Sequence, residues 1–150
     1  MRHIAIALLL LGMSAATAAE HWVVLKTADG AYGYDQESVV DKGKGRFAFK
    51  TASYVPEPMT AGSVTYNYLF TDSELNCADK AYTSSAIYLF DDNGEMLDMK
   101  ERADGPSGAD DGGIMEVLSK MVCAHKRFEG TADAGDMDNA MKTMRGYFKK

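Results

Sequence analysis

In the segment VTYNYLFTDSEL, residues 64–75, apolar or aromatic side chains alternate with polar ones. Successive side chains of a β-strand point to opposite faces of a sheet, so this period of two predicts a half-buried strand. The upstream segment 46–54 alternates in the same way, and Pro56 and Pro58 should end it because proline cannot donate to a sheet ladder. These two segments predict the centre of an antiparallel sheet.

Further strands follow on both sides of this centre. Residues 21–27 form a β-rich run that ends at an Asp-Gly turn, and 32–35 suit a short strand followed by a bend at 36–38. Residues 80–91 alternate again, although Ile87 and Leu89 make their second face apolar, so something should cover it. The pair Asn93-Gly94 predicts a hairpin into Met96 and Leu97, because both turn residues accept positive φ.

Two apolar stripes predict helices. The first comprises Ile114, Val117, Leu118, Met121 and Val122, with acidic Asp110 and Asp111 before it and basic His125, Lys126 and Arg127 after it. Residues 104–113 should form a long exposed loop before this helix, and 130–135 a linker after it. The second stripe comprises Met137, Ala140, Met141, Met144 and Phe148. The fold class is therefore α+β: a small antiparallel sheet of about five to six strands packed against a helix, with an extra C-terminal helix.

The first nineteen residues resemble a secretory leader. Arg2 and His3 precede an apolar run of about ten residues, whereas a membrane-spanning helix needs roughly twenty. Small residues then offer a cleavage site, so the mature chain should begin at Ala19 or, as we prefer, Glu20. No cysteine lies near this site, so we expect a periplasmic or secreted protein without a lipid anchor or a stable membrane span.

Composition limits the remaining classes. The 150-residue chain carries a net charge of −6, which argues against binding to nucleic acid or to an anionic membrane surface. Removal of the leader leaves about 130 residues, enough for one domain. We divide the chain into a signal peptide (1–19), a folded domain (20–129) and a C-terminal amphipathic helical tail (130–150).

The only two cysteines, Cys77 and Cys123, lie in the mature part of the chain. An even count in an oxidising compartment predicts that they form a disulfide. Closing a loop of about 46 residues stabilises a fold by roughly 4 kcal/mol in the chain-entropy model.

No residue pattern predicts a catalytic, cofactor or metal site. His21 and His125 lack a motif, and the serines lack Gly-x-Ser-x-Gly and Ser-x-x-Lys contexts. Residues 91–95 suggest a calcium loop, but the alignment puts Leu89 and Lys100 where oxygen ligands belong, so a turn is favoured. Asp104, Asp110 and Asp111 could hold calcium weakly, although such a loop is more often simply solvated. We therefore expect a protein that is not an enzyme and needs no cofactor.

The aromatic residues allow two interpretations. They could form a binding platform, or they could simply fill the core. The residues concerned are Tyr66, Tyr68, Phe70, Tyr82, Tyr88 and Phe90.

Several features in a fixed order resemble the surface-adhesin protein E family. These are Trp22-Val23-Val24, the motif Tyr34-Asp35-x-x-Ser38-Val39, the strand 47–54, Cys77, and a helix that ends in Val122-Cys123. The resemblance covers 21–123 and implies a small antiparallel sheet crossed by a helix, bridged cysteines and a location in the bacterial envelope. It also implies binding to host matrix proteins, although no ligand-binding residue of the family maps onto a motif here. Asp35 and Ser38 are better explained as turn formers that accept backbone N–H groups.

Three functions follow from these features. The first is a non-enzymatic envelope binding module that engages a host matrix or envelope protein. The second is a periplasmic structural or stress-related protein that self-associates, for example as a homodimer, through the methionine stripe. The third is a hydrolase that uses His21 or His125 with carboxylates.

Overall fold

The computed structural model describes residues 19–101, 107–108, 114–124 and 129–149. Nearly all of the expected leader lies outside this part of the chain. The elements in chain order are β1 (Trp22–Lys26), β2 (Ala31–Gly43), β3 (Arg46–Ala61), β4 (Val64–Asn76), β5 (Ala81–Phe90), β6 (Met96–Glu101), β7 (Ser107–Gly108), α1 (Ile114–Ala124), β8 (Thr131–Gly135) and α2 (Met137–Gly146).

The strands form one antiparallel sheet in the order β6-β5-β4-β3-β2-β1-β8, and the two-residue β7 also pairs with β5. The α+β class, the antiparallel sheet and both helices agree with the sequence-based expectation. The expected number of strands was too low. The protein is richer in β-structure because β2 and β3 continue past their predicted ends and because β8 was not anticipated.

The prediction that residues 130–135 form a linker is wrong, because Thr131–Gly135 form the strand β8. This strand pairs with β1, with Val24 opposite Ala132. The His21 side chain adds a contact of 2.9 Å to Asp133 Oδ1, and Ala134 is buried. The apolar side chains that alternate here, Ala132 and Ala134, are too small to predict a strand, so its position beside β1 makes the segment one.

Pro56 and Pro58 do not end β3, contrary to the sequence-based expectation. The pairing of β3 with β4 is irregular between Tyr54 and Met59, and the strand then continues to Ala61. Such an irregularity tolerates prolines because it does not need their missing N–H groups. The side-chain amide of buried Asn67 donates to Val55 O at 3.0 Å within this interval.

The predicted bend after Asp35 is an irregularity within β2, which continues to Gly43. Asp35 Oδ1 accepts the N–H groups of His21 (2.9 Å) and Glu37 (3.2 Å). The Ser38 hydroxyl donates to Asp35 O and accepts the Lys50 N–H. Both side chains accept backbone N–H groups, as predicted, but β2 continues through this position, so they stabilise an irregularity of the strand and not a turn.

One face of the sheet, which we call the α2 side, packs against α2. The side chains of Ala140, Met141 and Met144 are buried there against a cluster from five strands: Trp22, Val24, Ala31, Ala52, Tyr54, Tyr68, Phe70 and Phe90. The predicted methionine stripe therefore docks on the sheet. Asp136 caps the helix by accepting the Asn139 N–H at 2.9 Å.

The opposite face, which we call the α1 side, packs against α1. Leu118, Met121 and Val122 are buried there with Val23, Tyr34, Phe49 and Leu75. Cys77, directly after β4, is bonded to Cys123 near the end of α1. This disulfide fastens the helix to the end of β4.

A third cluster covers the apolar second face of β5 that the sequence indicated. Ile87 and Leu89 are buried with Tyr66, and Ala61, Val64 and Leu69 pack against them. The distal part of the β3–β4 hairpin thus provides the expected cover.

Candidate functional site

An open cleft of about 300 Å³ lies on the α2 side, beside the first residue of α2. Its walls combine aromatic side chains with a few charged ones, as binding clefts commonly do. The lining residues are Glu20, Trp22, Lys50, Thr51, Phe70, Thr71, Asp72, Tyr88, Phe90 and Met137.

Edge-to-face aromatic packing fixes the apolar floor of the cleft. The rings of Trp22 and Phe70 meet at a centroid distance of 5.3 Å and an angle of 80°. The rings of Phe70 and Phe90 meet at 5.2 Å and 66°. Such contacts leave these rings little freedom to move, so the cleft is largely preformed.

Glu20 closes one end of the cleft. Its Oε2 accepts the Met137 N–H at 3.0 Å and the Trp22 indole N–H at 3.3 Å. The first of these donors belongs to the first turn of α2, where backbone N–H groups lack partners within the helix and attract negative charge. Glu20 therefore connects the start of the folded chain to the start of α2.

Two side chains of opposite charge lie at the other end of the cleft. Lys50 and Asp72 face each other across β3 and β4. Asp72 Oδ2 accepts the Tyr88 hydroxyl at 3.1 Å, and this hydrogen bond, together with burial, raises the pKa of Tyr88. The cleft thus offers an ammonium group and a carboxylate beside an aromatic floor.

A shallower groove of about 410 Å³ continues from this end of the cleft. Lys50 and Asp72 line both depressions, and Ala48, Glu74 and Ser85 extend the groove along the strands. Cleft and groove together form one depression on the part of the α2 side that α2 leaves open.

The aromatic residues considered as a platform are divided among several environments. Tyr68, Phe70 and Phe90 are buried beneath α2, Tyr66 lies in the third cluster, and Tyr82 packs on the α1 side. Tyr88 is only partly buried. Of the six, Phe70, Tyr88 and Phe90 reach the cleft, and the others serve the core.

Sequence reasoning missed Lys50 and Asp72. The usable signal was their position, because each is the charged residue at which the apolar part of its strand face ends, next to Ala52 and to Phe70 respectively. A charge at an inward position of an alternating strand indicates either a partner or an opening in the cover.

The structure gives little support to the hypothesis of a hydrolase that uses His21 or His125. His21 contacts Asp133 between β1 and β8, and both side chains are well exposed, at 41% and 53%. Neither lines the cleft or the groove. His125 lies outside the described residues.

The segment 91–95 forms the turn that was favoured over a calcium loop. Asp91 Oδ1 accepts the N–H groups of Glu95 and Asn93 at 2.8 and 2.9 Å, and these bonds lower the pKa of Asp91. Gly94 has a φ of +87°, whereas Asn93 is not at positive φ, so one turn residue and not both needs that conformation. The part of the chain that the structure describes contains no cluster of three or more His, Cys, Asp or Glu suited to a metal. Asp104, Asp110 and Asp111 lie outside it.

The fold and the cleft together define a disulfide-closed antiparallel sheet with an aromatic cleft beside a helix. Residues 22–124 match the family model of surface-adhesin protein E. The chain belongs to this family, as its ordered motifs indicated. Membership indicates an adhesin-like surface protein and favours binding over catalysis.

No curated protein and no solved structure gives a significant match to the chain. Among the described residues, neither helix has the length and apolar character needed to cross a bilayer.

Proposed function

We propose that this chain is an exported, non-enzymatic binding module of the bacterial envelope, and that the cleft and groove engage a host matrix or envelope protein. Family membership supports the general class, an adhesin-like surface protein. The observation that carries the site is the preformed aromatic cleft with Lys50 and Asp72 at its open end.

The cleft suits one large apolar side chain of the partner. Binding energy at protein interfaces concentrates in a few anchors that enter desolvated pockets, and a floor of Trp22, Phe70 and Phe90 provides such a pocket. Lys50 and Asp72 would then pair with polar groups beside the anchor and fix its orientation. The groove would accept the residues that follow.

The proposed location depends on the leader at 1–19. Cleavage before Glu20 leaves this residue at the new amino terminus, where its carboxylate already binds α2. Intact-mass measurement of the exported protein tests this step. A mass that retains residues 1–18 would contradict it.

The partner surface is tested with immobilised, purified matrix and envelope proteins. Lys50→Glu and Tyr88→Ala should each weaken binding about tenfold or more, as expected for residues at the centre of an interface. Lys44→Glu is the matched control, because it makes the same charge change on an exposed turn residue about 20 Å along the strand from Lys50. Equal binding by all three variants would refute the site, and failure of the wild-type protein to bind any such protein would refute the function.

Self-association through the methionine stripe, the alternative function, finds no support. Met144 is fully buried and Met141 is 6% exposed, both against the sheet of the same chain. These side chains are occupied within the protein.

A further inference from the structure

The strand β6 forms one end of the sheet and carries exposed apolar side chains among charged ones. Five large apolar side chains are exposed in the described part of the chain, and three of them lie on this strand: Met96 at 58%, Leu97 at 41% and Met99 at 50%. Proteins usually protect an edge strand with charge, proline or a covering loop, because its free backbone groups can pair with another strand. Apolar side chains on such an edge favour pairing.

The sequence of β6 is suited to pairing with itself. In an antiparallel pair, two residues that face each other have side chains on the same face of the sheet. A two-fold axis perpendicular to the sheet also keeps each residue and its copy on the same face. The axis must therefore lie where one residue faces its own copy. An axis at Asp98 would oppose two carboxylates, and an axis at Lys100 would oppose two ammonium groups. An axis at Met99 instead places Asp98 opposite Lys100 twice and Met99 opposite its copy.

We propose that β6 pairs with β6 of a second copy of this chain, in the antiparallel register centred on Met99. The pairing would join the two sheets edge to edge. Met99 lies opposite Tyr88 in the β5–β6 pair, so it is on the α2 side, next to the cleft wall. Because the axis is perpendicular to the sheet, both clefts then face the same direction.

The arrangement gives the dimer two parallel binding surfaces. If the cleft binds a protein as proposed above, two sites on one rigid sheet would bind a repetitive or surface-bound partner with higher avidity than one site. Dimerisation itself does not depend on that function.

The dimer should be weak. One strand pair buries less area than a standard interface. In the monomer, Lys100 Nζ already lies 3.4 Å from Asp98 Oδ2, and Asp98 Oδ1 accepts the Met99 N–H at 2.9 Å. The pairing must exchange these local contacts for equivalent ones across the axis. In this register Leu97 faces Glu101, so the contact between the two Met99 side chains and the new backbone hydrogen bonds supply the gain.

Sedimentation velocity of the disulfide-bonded protein from about 10 µM to about 1 mM tests the proposal, since weak interfaces dissociate in this range. The wild-type protein should shift from monomer to dimer. Met99→Lys should weaken dimerisation at least about tenfold, because it places two like charges opposite each other. Met59→Lys is the matched control, since Met59 is equally exposed, at 52%, but lies on the β3–β4 hairpin.

A charge exchange tests the register. Asp98→Lys alone should weaken the dimer, and Asp98→Lys combined with Lys100→Asp should restore it. A wild-type protein that stays monomeric up to the highest concentration overturns the proposal. So does a dimer that Met99→Lys leaves intact, or a double variant that remains as weak as the single one. The cleft assay with Lys50→Glu is independent of these results, so the two proposals can fail separately.

Discussion

Removal of the Cys77–Cys123 disulfide should destabilise the protein by about 4 kcal/mol. The bond closes a loop with a sequence separation of 46, which includes β5, β6, β7 and α1. In the chain-entropy model a loop of this length restricts the unfolded chain by about 13 cal/mol/K, or about 4 kcal/mol at 25 °C. The value is an upper bound, because the reduced unfolded chain is already partly compact.

Urea unfolding of the oxidised protein and of the Cys77→Ser/Cys123→Ser variant measures the difference. With a slope of about 2 kcal/mol/M, the midpoint should fall by about 2 M. Hydrogen exchange should become fastest in α1, because the buried side chains Leu118, Met121 and Val122 are then its main attachment to the sheet. Reduction of the wild-type protein is the control and should reproduce the variant. A midpoint change equivalent to less than about 1 kcal/mol, or two thiols that alkylate without reductant, would refute the reasoning.

Three further predictions concern the α2 side and its turn. Met144→Ala should cost about 3 kcal/mol in the free energy of unfolding, because a fully buried side chain leaves a cavity; a loss below about 1 kcal/mol in urea unfolding would show that the site collapses. The pKa of Asp91 is lower in the folded protein than in the unfolded chain, where it is about 4. The resulting stability is present above the unfolded pKa and is lost as the pH falls through the folded pKa. Asp91→Asn should therefore reduce the acid dependence of the melting temperature. Burial and the hydrogen bond to Asp92 raise the pKa of Tyr54 to about 12, so stability should fall as the pH rises from about 10 towards 12, and Tyr54→Phe should show a smaller alkaline loss.

The sequence predicted the parts of the fold in which a periodic pattern coincides with burial. Residues 64–75 alternate because one face meets α2, and 114–122 carry a stripe because one side meets the sheet. The disulfide followed from the cysteine count and the expected compartment. In these cases local pattern and tertiary environment agree.

The parts that failed depend on tertiary contacts without a local signal. The segment Thr131–Gly135 contains only small or polar residues, and its strand conformation comes from pairing with β1. Pro56 and Pro58 are compatible with β3 only because the pairing is irregular there. Propensity rules evaluate each segment alone and therefore cannot detect either effect.

The candidate site was less predictable than the fold. Glu20, Lys50 and Asp72 are widely separated in sequence and line one cleft only because the fold brings the residue before β1, the strands β3 and β4 and the start of α2 together. Phe70, Tyr88 and Phe90 belonged to the aromatic set, but their pattern did not distinguish them from Tyr66 and Tyr68, which serve the core. Which aromatic side chains remain accessible depends on how far α2 extends over the sheet.

The pairing of β1 with β8 determines when the chain can complete its fold. His21 and Asp133, which join these strands, are 112 residues apart. In a chain that is still being synthesised, β1 can pair with β2 early, but its second partner, β8, is absent until residues 131–135 have been made. Contacts between such distant residues form slowly. The outer edge of β1 is therefore covered later than the rest of the sheet.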